Sequence, residues 1–265
     1  MNFLIWNSRG IGARSFPALV RNLKAHYHLD FITLLETRCT KEMSLSRANQ
    51  LGFSNFELMD CEGYSSGIWC LWDNTISSVA MIECHHQFVH FQISRVAGDT
   101  WTCTIIYASP SGAARRTLWD NLSRLAPSVQ GARLLGGDFN STLLLEERRS
   151  SAIFRSFVDR DFLQWFDSNE MSDFGFVGLE FTWKRGTSEA RLDRALANEQ
   201  WVNLFPNASV THLPFFKSDH RPLLLRLNTV MNRPKPDRPF RFIAAWVLHE
   251  QFDSFVRQSW LPHAL

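Results

Sequence analysis

The chain contains 265 residues, and 45% of them are hydrophobic, which suffices for a folded core and excludes a mainly disordered protein. The 28 basic residues nearly balance the 26 acidic residues, so the formal net charge is only +2. This balance excludes a basic surface over the whole chain, and an anionic partner must therefore be bound locally. Five cysteines without a C-x-x-C pair indicate a reduced, intracellular chain, and neither a signal peptide nor a membrane-spanning segment is predicted.

Short apolar runs and helical periodicity predict the elements in chain order. Short runs that end close to a polar residue predict buried strands over residues 3–6, 31–35, 104–107 and 133–135. Apolar residues at helical spacing predict helices over 16–24, 118–125 and 154–166. Strands joined by turns are predicted over 66–72, 76–82, 88–94 and 101–107. The whole pattern predicts an α/β (α+β) fold, a four-layered sandwich of two packed, mainly antiparallel sheets flanked by helices.

A change of composition after residue 227 predicts a domain boundary. Residues 232–239 contain three prolines and four charged residues, which is typical of a linker. We therefore expect a main domain over 1–228, a Pro/Arg-rich linker over 229–239, and the start of a truncated connector segment over 240–265. Apolar residues at helical spacing between 242 and 260 predict a helix in this last segment.

Polar residues recur at the ends of predicted strands. They are Asn7, Glu36, Tyr107, Asp138, Asn140, Asp193, Asp219 and His220. Ligands bind where strand ends and their loops converge, so residues far apart in sequence can share one site. Each residue alone has a simpler explanation, because a lone acid is usually a solvated charge and a lone Asn is usually a turn or cap residue. Their combination predicts a polar site at one edge of the sheets.

The order of these residues resembles the motifs of the endonuclease/exonuclease/phosphatase family, which includes apurinic/apyrimidinic endonucleases and DNase I. The matching pieces are Trp6-Asn7, Leu35-Glu36-Thr37, Ile106-Tyr107, Gly137-Asp138-Phe139-Asn140, Arg191-Leu192-Asp193-Arg194 and Ser218-Asp219-His220. Other pieces are most similar to the endonuclease domains of plant LINE-type non-LTR retrotransposons: Trp6-Asn7-Ser8-Arg9-Gly10, Tyr107-Ala108-Ser109-Pro110, Phe181-Thr182-Trp183 and Ser218-Asp219-His220-Arg221-Pro222-Leu223. The resemblance implies a DNase I-like fold.

The resemblance implies a site for Mg²⁺ or Mn²⁺. Glu36 is expected to be the principal ligand, because a hard carboxylate oxygen suits these ions. Asn7 is expected to add an amide oxygen to the metal shell or to hydrogen-bond the substrate phosphate. Arg9 stands where many apurinic endonucleases carry an acidic residue, and since a cation cannot ligate the metal, Arg9 is expected to face the phosphate. Arg221 is also expected to bind substrate.

The resemblance also implies how phosphodiester hydrolysis is catalysed. Asp138 is expected to position or deprotonate the attacking water and Asn140 to orient it, although an Asx-turn explains both residues without a function. His220 is expected to contact the phosphoryl oxygen, and Asp193 to hold its imidazole.

Three of these roles keep an alternative. Asp193 by itself could equally pair with the neighbouring Arg191 or Arg194. Asp219 is either a second acidic group near the metal or the acid for the leaving group. Tyr107 is either a hydrogen-bond donor to the phosphate or an aromatic residue packed at the rim.

The implied function is a metal-dependent DNA endonuclease of a LINE-type retrotransposon. It nicks one strand of double-stranded DNA and leaves a 3′-hydroxyl that primes reverse transcription at the target. A reverse transcriptase domain in the same polyprotein and action in the nucleus are expected from the resemblance. The alternatives are an RNA or small-molecule phosphodiesterase or phosphatase with the same fold, and a catalytically inactive DNA-binding remnant.

Overall fold

The computed structural model describes residues 1–39, 41–59, 67–96, 98–126, 131–149 and 158–228, together with 252 and 254. The chain divides into two compact units, Met1–Met231 and Asn232–Leu265. The first unit contains the elements below, whereas the predicted linker and nearly all of the predicted connector lie outside the described residues. The predicted domain boundaries therefore stay predictions.

The described elements are sixteen strands and five α-helices. The strands are β1 (Asn2–Asn7), β2 (Phe31–Leu35), β3 (Asn55–Met59), β4 (Ile68–Trp72), β5 (Ile76–His85), β6 (Phe88–Arg95), β7 (Thr100–Tyr107), β8 (Arg133–Asp138), β9 (Arg148–Arg149), β10 (Ser172–Asp173), β11 (Val177–Gly178), β12 (Trp183–Arg185), β13 (Ser188–Ala190), β14 (Asp193–Ala197), β15 (Ser209–His212) and β16 (Leu223–Arg226). The helices are α1 (Phe16–Tyr27), α2 (Lys41–Gln50), α3 (Gly112–Leu125), α4 (Arg160–Ser168) and α5 (Glu199–Leu204), and a 3-10 helix spans Leu145–Glu147.

Two large sheets and one small sheet contain these strands. The first has the order β11-β15-β16-β1-β2-β4-β3, the second β10-β14-β8-β7-β6-β5, and the small one β12-β13-β9. Parallel pairing occurs between β1 and β2, β7 and β8, and β11 and β15. The other pairs are antiparallel, which confirms the predicted mainly antiparallel sheets.

Three apolar clusters separate the layers. One contains residues from the strands of both large sheets, such as Phe3 of β1 and Val89 of β6, and forms the core between them. A second packs α1 and α2 on the first sheet, and a third packs α3 and α4 on the second sheet. The predicted four-layered sandwich is confirmed. None of the helices in the described part of the chain is long and apolar enough to cross a membrane.

Burial on both faces explains why the central strands are continuous apolar runs. In β1, Phe3 and Ile5 join the core between the sheets, while Leu4 and Trp6 join the cluster under the helices. Successive side chains of a strand point to opposite faces, so a strand covered on both sides needs apolar residues at every position. The polar residue that follows such a run marks the edge of the sandwich.

Most of the predicted elements are confirmed, with differences at their ends. Helix α4 begins at Arg160, and the earlier residues Phe154 and Phe157 of the predicted helix lie outside the described residues. Helix α2 was not predicted, because its exposed Met43 and Leu45 give it no apolar face of helical period.

The cysteines differ from the sequence expectation. Cys70 and Cys103 are free, buried thiols, which agrees with a reduced state at these two residues. Cys84 is disulfide-bonded, so the expectation that every cysteine is reduced is wrong at this residue.

Two glycines allow β8 to approach its neighbours closely. A Cβ atom on Gly136 would lie 2.5 Å from Cδ1 of Ile5 in the facing sheet, and one on Gly137 would lie 2.0 Å from the carbonyl oxygen of Ile106. Gly137 also has φ +142°, which side chains rarely tolerate. The absence of side chains at both positions therefore fixes the path of the chain into Asp138.

Candidate active site

The predicted site residues lie at one edge of the two large sheets. Asn7, Tyr107 and Asp138 end β1, β7 and β8, and Glu36 directly follows β2. The pairing of β8 with its neighbours sets Asp138 beside Tyr107 on one side and beside Asp193 on the other. Strand ends from both sheets therefore bring these side chains together, although they are far apart in sequence.

Asn7 links the two sheets through its amide group. Its Nδ2 atom donates to Oε1 of Glu36 at 3.1 Å and to Oδ2 of Asp138 at 2.9 Å, and all three side chains are buried. Its Oδ1 atom accepts the backbone N–H of Arg9 at 3.2 Å. A carboxylate only accepts hydrogen bonds, so the amide nitrogen must face the two acids. Asn7 thus holds Glu36 and Asp138 in fixed positions, and its predicted role as a metal ligand stays a prediction.

Glu36 is a buried carboxylate surrounded by hydrogen-bond donors. Its Oε1 atom accepts the hydroxyl of Tyr107 at 2.7 Å, and its Oε2 atom accepts Nη2 of Arg38 at 2.5 Å. Burial would raise the pKa of Glu36, but the bonds from Tyr107 and Asn7 and the charge of Arg9 outweigh burial and hold the pKa below its usual value. Glu36 is therefore anionic at neutral pH.

Asp138 is held by Asn140 as well as by Asn7. The backbone N–H of Asn140 donates to Oδ1 of Asp138 at 2.9 Å, and its side-chain Nδ2 donates to the carbonyl oxygen of Ala108 at 2.7 Å. The first of these bonds is the Asx-turn expected at this position. The second fixes the Asn140 amide against the loop that follows β7.

His220 is paired with Asp193 and faces Asp138. Its Nδ1 atom lies 2.9 Å from Oδ2 of Asp193, and its Nε2 atom lies 3.8 Å from Oδ2 of Asp138. Burial disfavours the charged imidazole, but the carboxylates of Asp193 and Asp138 outweigh burial and raise the pKa of His220 to about 9. Burial and the charge of Asp193 raise the pKa of Asp138 above the usual carboxyl range.

The alternative partners of Asp193 are engaged elsewhere. Arg191 and Arg194 form buried ion pairs with both Glu147 and Asp173, at 2.7–3.1 Å. Asp193 therefore pairs with His220, whereas Arg191 and Arg194 belong to a separate ionic cluster beside this pair.

Asp219 is bound by a cation and an indole. Its Oδ2 atom accepts Nη1 of Arg9 at 2.5 Å and Nε1 of Trp183 at 3.2 Å. Its Oδ1 atom is buried and has no hydrogen-bond partner among the described residues. The same Arg9 lies 3.6 Å from Oε2 of Glu36 through its Nε atom. Arg9 therefore connects the two acids rather than facing outward alone.

Tyr107 and Arg221 are placed differently from the simplest expectation. The Tyr107 hydroxyl donates to Glu36. Burial, together with the charge of Glu36, raises the tyrosine pKa far above its usual value, so the phenol keeps its proton. The structure does not bring Arg221 to the cluster. Its guanidinium donates to the carbonyl oxygens of Phe181 and Leu213 and lies 3.9 Å from the ring of Phe215. Its predicted role in substrate binding stays a prediction.

Several residues at the site carried no predicted role. Arg38 binds Glu36, Trp183 binds Asp219, and the Ser218 hydroxyl donates to the carbonyl oxygen of Asn7 at 2.7 Å. Ser218 and Trp183 lie inside the motifs that resemble the family, and this position could have indicated a role at the site. Four non-glycine residues at the site have positive φ: Arg9, Glu36, Arg38 and Asn140. Such backbone conformations are costly and concentrate at functional sites.

Among the described residues, two groups of side chains have the chemistry to hold a divalent cation. Asp138, Asp193 and His220 bring ligand atoms within 4.8 Å of one another. A histidine whose proton is retained by two carboxylates is a poor ligand, however, because metal binding requires a neutral imidazole. Glu36 and Asp219 fit Mg²⁺ or Mn²⁺ better, since both supply hard oxygens and the buried Oδ1 of Asp219 has no hydrogen-bond partner in the described part of the chain.

Comparison with known proteins agrees with this fold. Residues 4–220 match the model of the Endonuclease/Exonuclease/phosphatase family. The AP endonuclease LMAP from Leishmania major is similar in structure, with a TM-score of 0.67, 14% identity, and coverage of 84% of this chain and 86% of that chain. None of the curated proteins gives a significant match.

Two further structures show the same fold. The endonuclease domain of TRAS1, a telomere-specific non-LTR retrotransposon, has a TM-score of 0.63, 12% identity, and coverage of 84% of this chain and 96% of that chain. The catalytic domain of Xenopus laevis APE2 has a TM-score of 0.64, 18% identity, and coverage of 85% and 91%. The family match covers most of the chain, and its fold is that of these nucleases, so the chain belongs to the Endonuclease/Exonuclease/phosphatase family.

Proposed function

We propose that this protein is a DNA endonuclease that depends on Mg²⁺ or Mn²⁺, nicks one strand of double-stranded DNA and leaves a 3′-hydroxyl end. One observation carries the proposal: a continuous line of polar contacts joins Glu36, Asn7, Asp138 and His220 across both sheets. Phosphodiester hydrolysis needs a group that activates water and groups that neutralise the charge on phosphorus, and this line supplies both kinds side by side.

Each residue of the site has a different role in the proposed reaction. Asp138 is fixed by hydrogen bonds to both oxygens, and its raised pKa makes its ionised form a better base for the attacking water. His220 is charged at neutral pH, so its Nε2–H can neutralise charge that develops on a phosphoryl oxygen. Glu36 and Asp219 would hold the divalent ion, which when bound supplies Lewis acidity at the phosphate.

We further propose that the endonuclease belongs to a LINE-type retrotransposon, as the motifs similar to plant elements suggest. The likeness to the TRAS1 endonuclease domain supports a non-LTR retrotransposon of this kind. The partners would be double-stranded target DNA and a reverse transcriptase domain in the same polyprotein, and the site of action would be the nucleus. A 3′-hydroxyl at the nick would then prime reverse transcription.

Conversion of supercoiled plasmid to open circles tests the proposed activity. We expect nicking with Mg²⁺ or Mn²⁺, none with EDTA, and labelled-nucleotide incorporation at the nick by a DNA polymerase, which requires a 3′-hydroxyl. Glu36→Gln, Asp138→Asn and His220→Gln should each lower the rate by about 10²-fold or more. Asp167→Asn and His86→Gln, at exposed positions of α4 and of the turn after β5, are the matched controls and should nick normally.

The outcome also separates the alternatives. Nicking that continues in EDTA would overturn the proposal. Release of free phosphate or of mononucleotides without open circles would favour the phosphatase or RNA-directed alternative. DNA binding in EDTA without cleavage under any metal would favour the inactive remnant, and the salt dependence of that binding would report the number of phosphates contacted.

A further inference from the structure

We propose that the guanidinium of Arg9 is a built-in counter-cation of Glu36 and Asp219, which a divalent ion must displace in order to bind these two acids. The inference rests on the proposed function, because that function requires the ion. It assigns to Arg9 a role in setting metal affinity, in addition to any contact with the phosphate.

The geometry places Arg9 between the two acids. Its Nη1 atom lies 2.5 Å from Oδ2 of Asp219, and its Nε atom lies 3.6 Å from Oε2 of Glu36. The Glu36 side chain is 9% exposed and the Asp219 side chain 22%, so solvent screens their charges poorly. Two poorly hydrated carboxylates near each other require a cation, and Arg9 supplies one in the absence of metal.

Arg9 is placed so that it can leave. Its side chain is 34% exposed, whereas both acids are more deeply buried. Glu36 would still keep Arg38, Tyr107 and Asn7 as donors after Arg9 moved. Trp183 would still hold Oδ2 of Asp219. The two carboxylates would therefore stay in position while the guanidinium moved toward solvent.

Asp219 carries the second observation. Its Oδ1 atom is buried without a hydrogen-bond partner among the described residues, which is costly for a carboxylate oxygen. Arg9 satisfies only Oδ2. A divalent ion prefers hard oxygen ligands and would use the unsatisfied atom, so the acid is better matched to such an ion than to Arg9 alone.

Metal binding without DNA tests the inference directly. The EPR signal of free Mn²⁺ gives the dissociation constant for the intact chain and for Arg9→Gln. Since Arg9→Gln removes a competing charge, we expect Mn²⁺ to bind about threefold to tenfold more tightly, the effect of roughly one or two partly screened ion pairs. Arg9→Lys should bind Mn²⁺ with intermediate affinity, because a single ammonium cannot span both acids as the guanidinium does.

Arg116→Gln is the matched control. Arg116 also forms an ion pair with an acid, Asp161, but on the surface of α3, so its removal changes the net charge equally without touching the site. Its Mn²⁺ affinity should equal that of the unchanged chain. Equal or weaker Mn²⁺ binding by Arg9→Gln, with a normal circular dichroism spectrum, would overturn the inference.

Thermal unfolding gives a second readout that does not depend on catalysis. Without metal, Arg9→Gln should unfold at a lower temperature, because two acids lose their counter-cation, and Mn²⁺ should raise its Tm more than that of the unchanged chain. A Tm response to Mn²⁺ no larger than that of the unchanged chain would count against the inference. If Arg9→Gln binds Mn²⁺ more tightly but the unchanged chain never nicks plasmid, the proposed function fails and the counter-cation role stands.

Discussion

His220 and Asp138 face each other across the edge of the two sheets, with Nε2 of the imidazole 3.8 Å from Oδ2 of the carboxylate. On the other side of the ring, Nδ1 lies 2.9 Å from Asp193. The imidazole is thus held between two buried carboxylates, and this arrangement raises the pKa of His220 to about 9. We therefore expect the protonation of Asp138 and of His220 to affect both activity and stability.

The rate of plasmid nicking should depend on pH as a bell-shaped curve. The proposed mechanism requires ionised Asp138 and protonated His220. Because the pKa of Asp138 is raised, activity should fall on mild acidification, and because the pKa of His220 is about 9, it should fall again near that pH. Initial rates between pH 5 and pH 10 at saturating Mg²⁺ measure both limbs.

Asp193→Asn should move both limbs of that curve to lower pH. The charge of Asp193 raises the pKa of His220 and also that of Asp138, so its removal lowers both by about one unit or more. A purely structural loss would lower the rate without moving either limb. Unchanged limbs in Asp193→Asn would contradict the electrostatic role of this residue.

The free energy of unfolding should fall as pH rises from about 6.5 to about 9. The folded pKa of His220 lies above the value of about 6.5 in an unfolded chain, so the native state binds the extra proton. The stabilisation that comes from this proton is fully present below the unfolded pKa. It is lost as the pH rises through the folded pKa, and it is on the order of 3 kcal/mol. Urea denaturation in EDTA measures it. His220→Gln should show a flatter profile.

Sequence was sufficient to predict several of the strands that are buried on both faces. The runs that became β1, β2, β7 and β8 are mostly apolar, with buried threonines such as Thr33 inside them, since residues such as Ile5 and Leu4 meet opposite apolar layers. The polar residue after each run was therefore a reliable sign of the sheet edge. Strands β3 and β9 to β16 were not predicted. Of these, β9 to β13 have only two or three residues each, and most of those residues are partly or fully exposed.

Sequence predicted which residues form the site better than it predicted the contacts between them. The orientation of the Asn7 amide depends on Glu36 and Asp138, which lie 29 and 131 residues away. Arg38 contacts Glu36 from a segment in which both residues adopt positive φ, and no local sequence pattern predicts this backbone conformation. The link from Arg9 to Asp219 spans 210 residues and likewise follows only from the packed sheets.

Removing one acid of the buried ionic cluster should destabilise the protein strongly. The cluster consists of Glu147, Asp173, Arg191 and Arg194, whose side chains are at most 6% exposed. Glu147→Gln leaves a buried guanidinium without its full set of partners, which costs about 3–5 kcal/mol. Urea denaturation measures this loss.

The exposed pair of Glu180 with Arg149 provides the comparison. Its side chains are 42% and 66% exposed, so Glu180→Gln should cost less than about 1 kcal/mol. Equal effects of the two variants would show that the buried cluster is no more important than a surface pair. A smaller effect of Glu147→Gln would have the same meaning.

Gly137→Ala should lower both stability and nicking activity. The added methyl group would lie 2.0 Å from the carbonyl oxygen of Ile106, in a backbone with φ +142°. Backbone strain and overpacking together should cost about 2–4 kcal/mol. Relief of the clash would shift the adjoining Asp138 relative to Tyr107 on β7, so the rate should fall even at temperatures where the variant is folded.

Gly186→Ala is the matched control, because Gly186 also has positive φ but no atom within 4 Å of the new methyl group. It should lose only about 1–2 kcal/mol and nick plasmid at the normal rate. A normal nicking rate in folded Gly137→Ala would show that the close approach of β7 and β8 does not determine the position of Asp138.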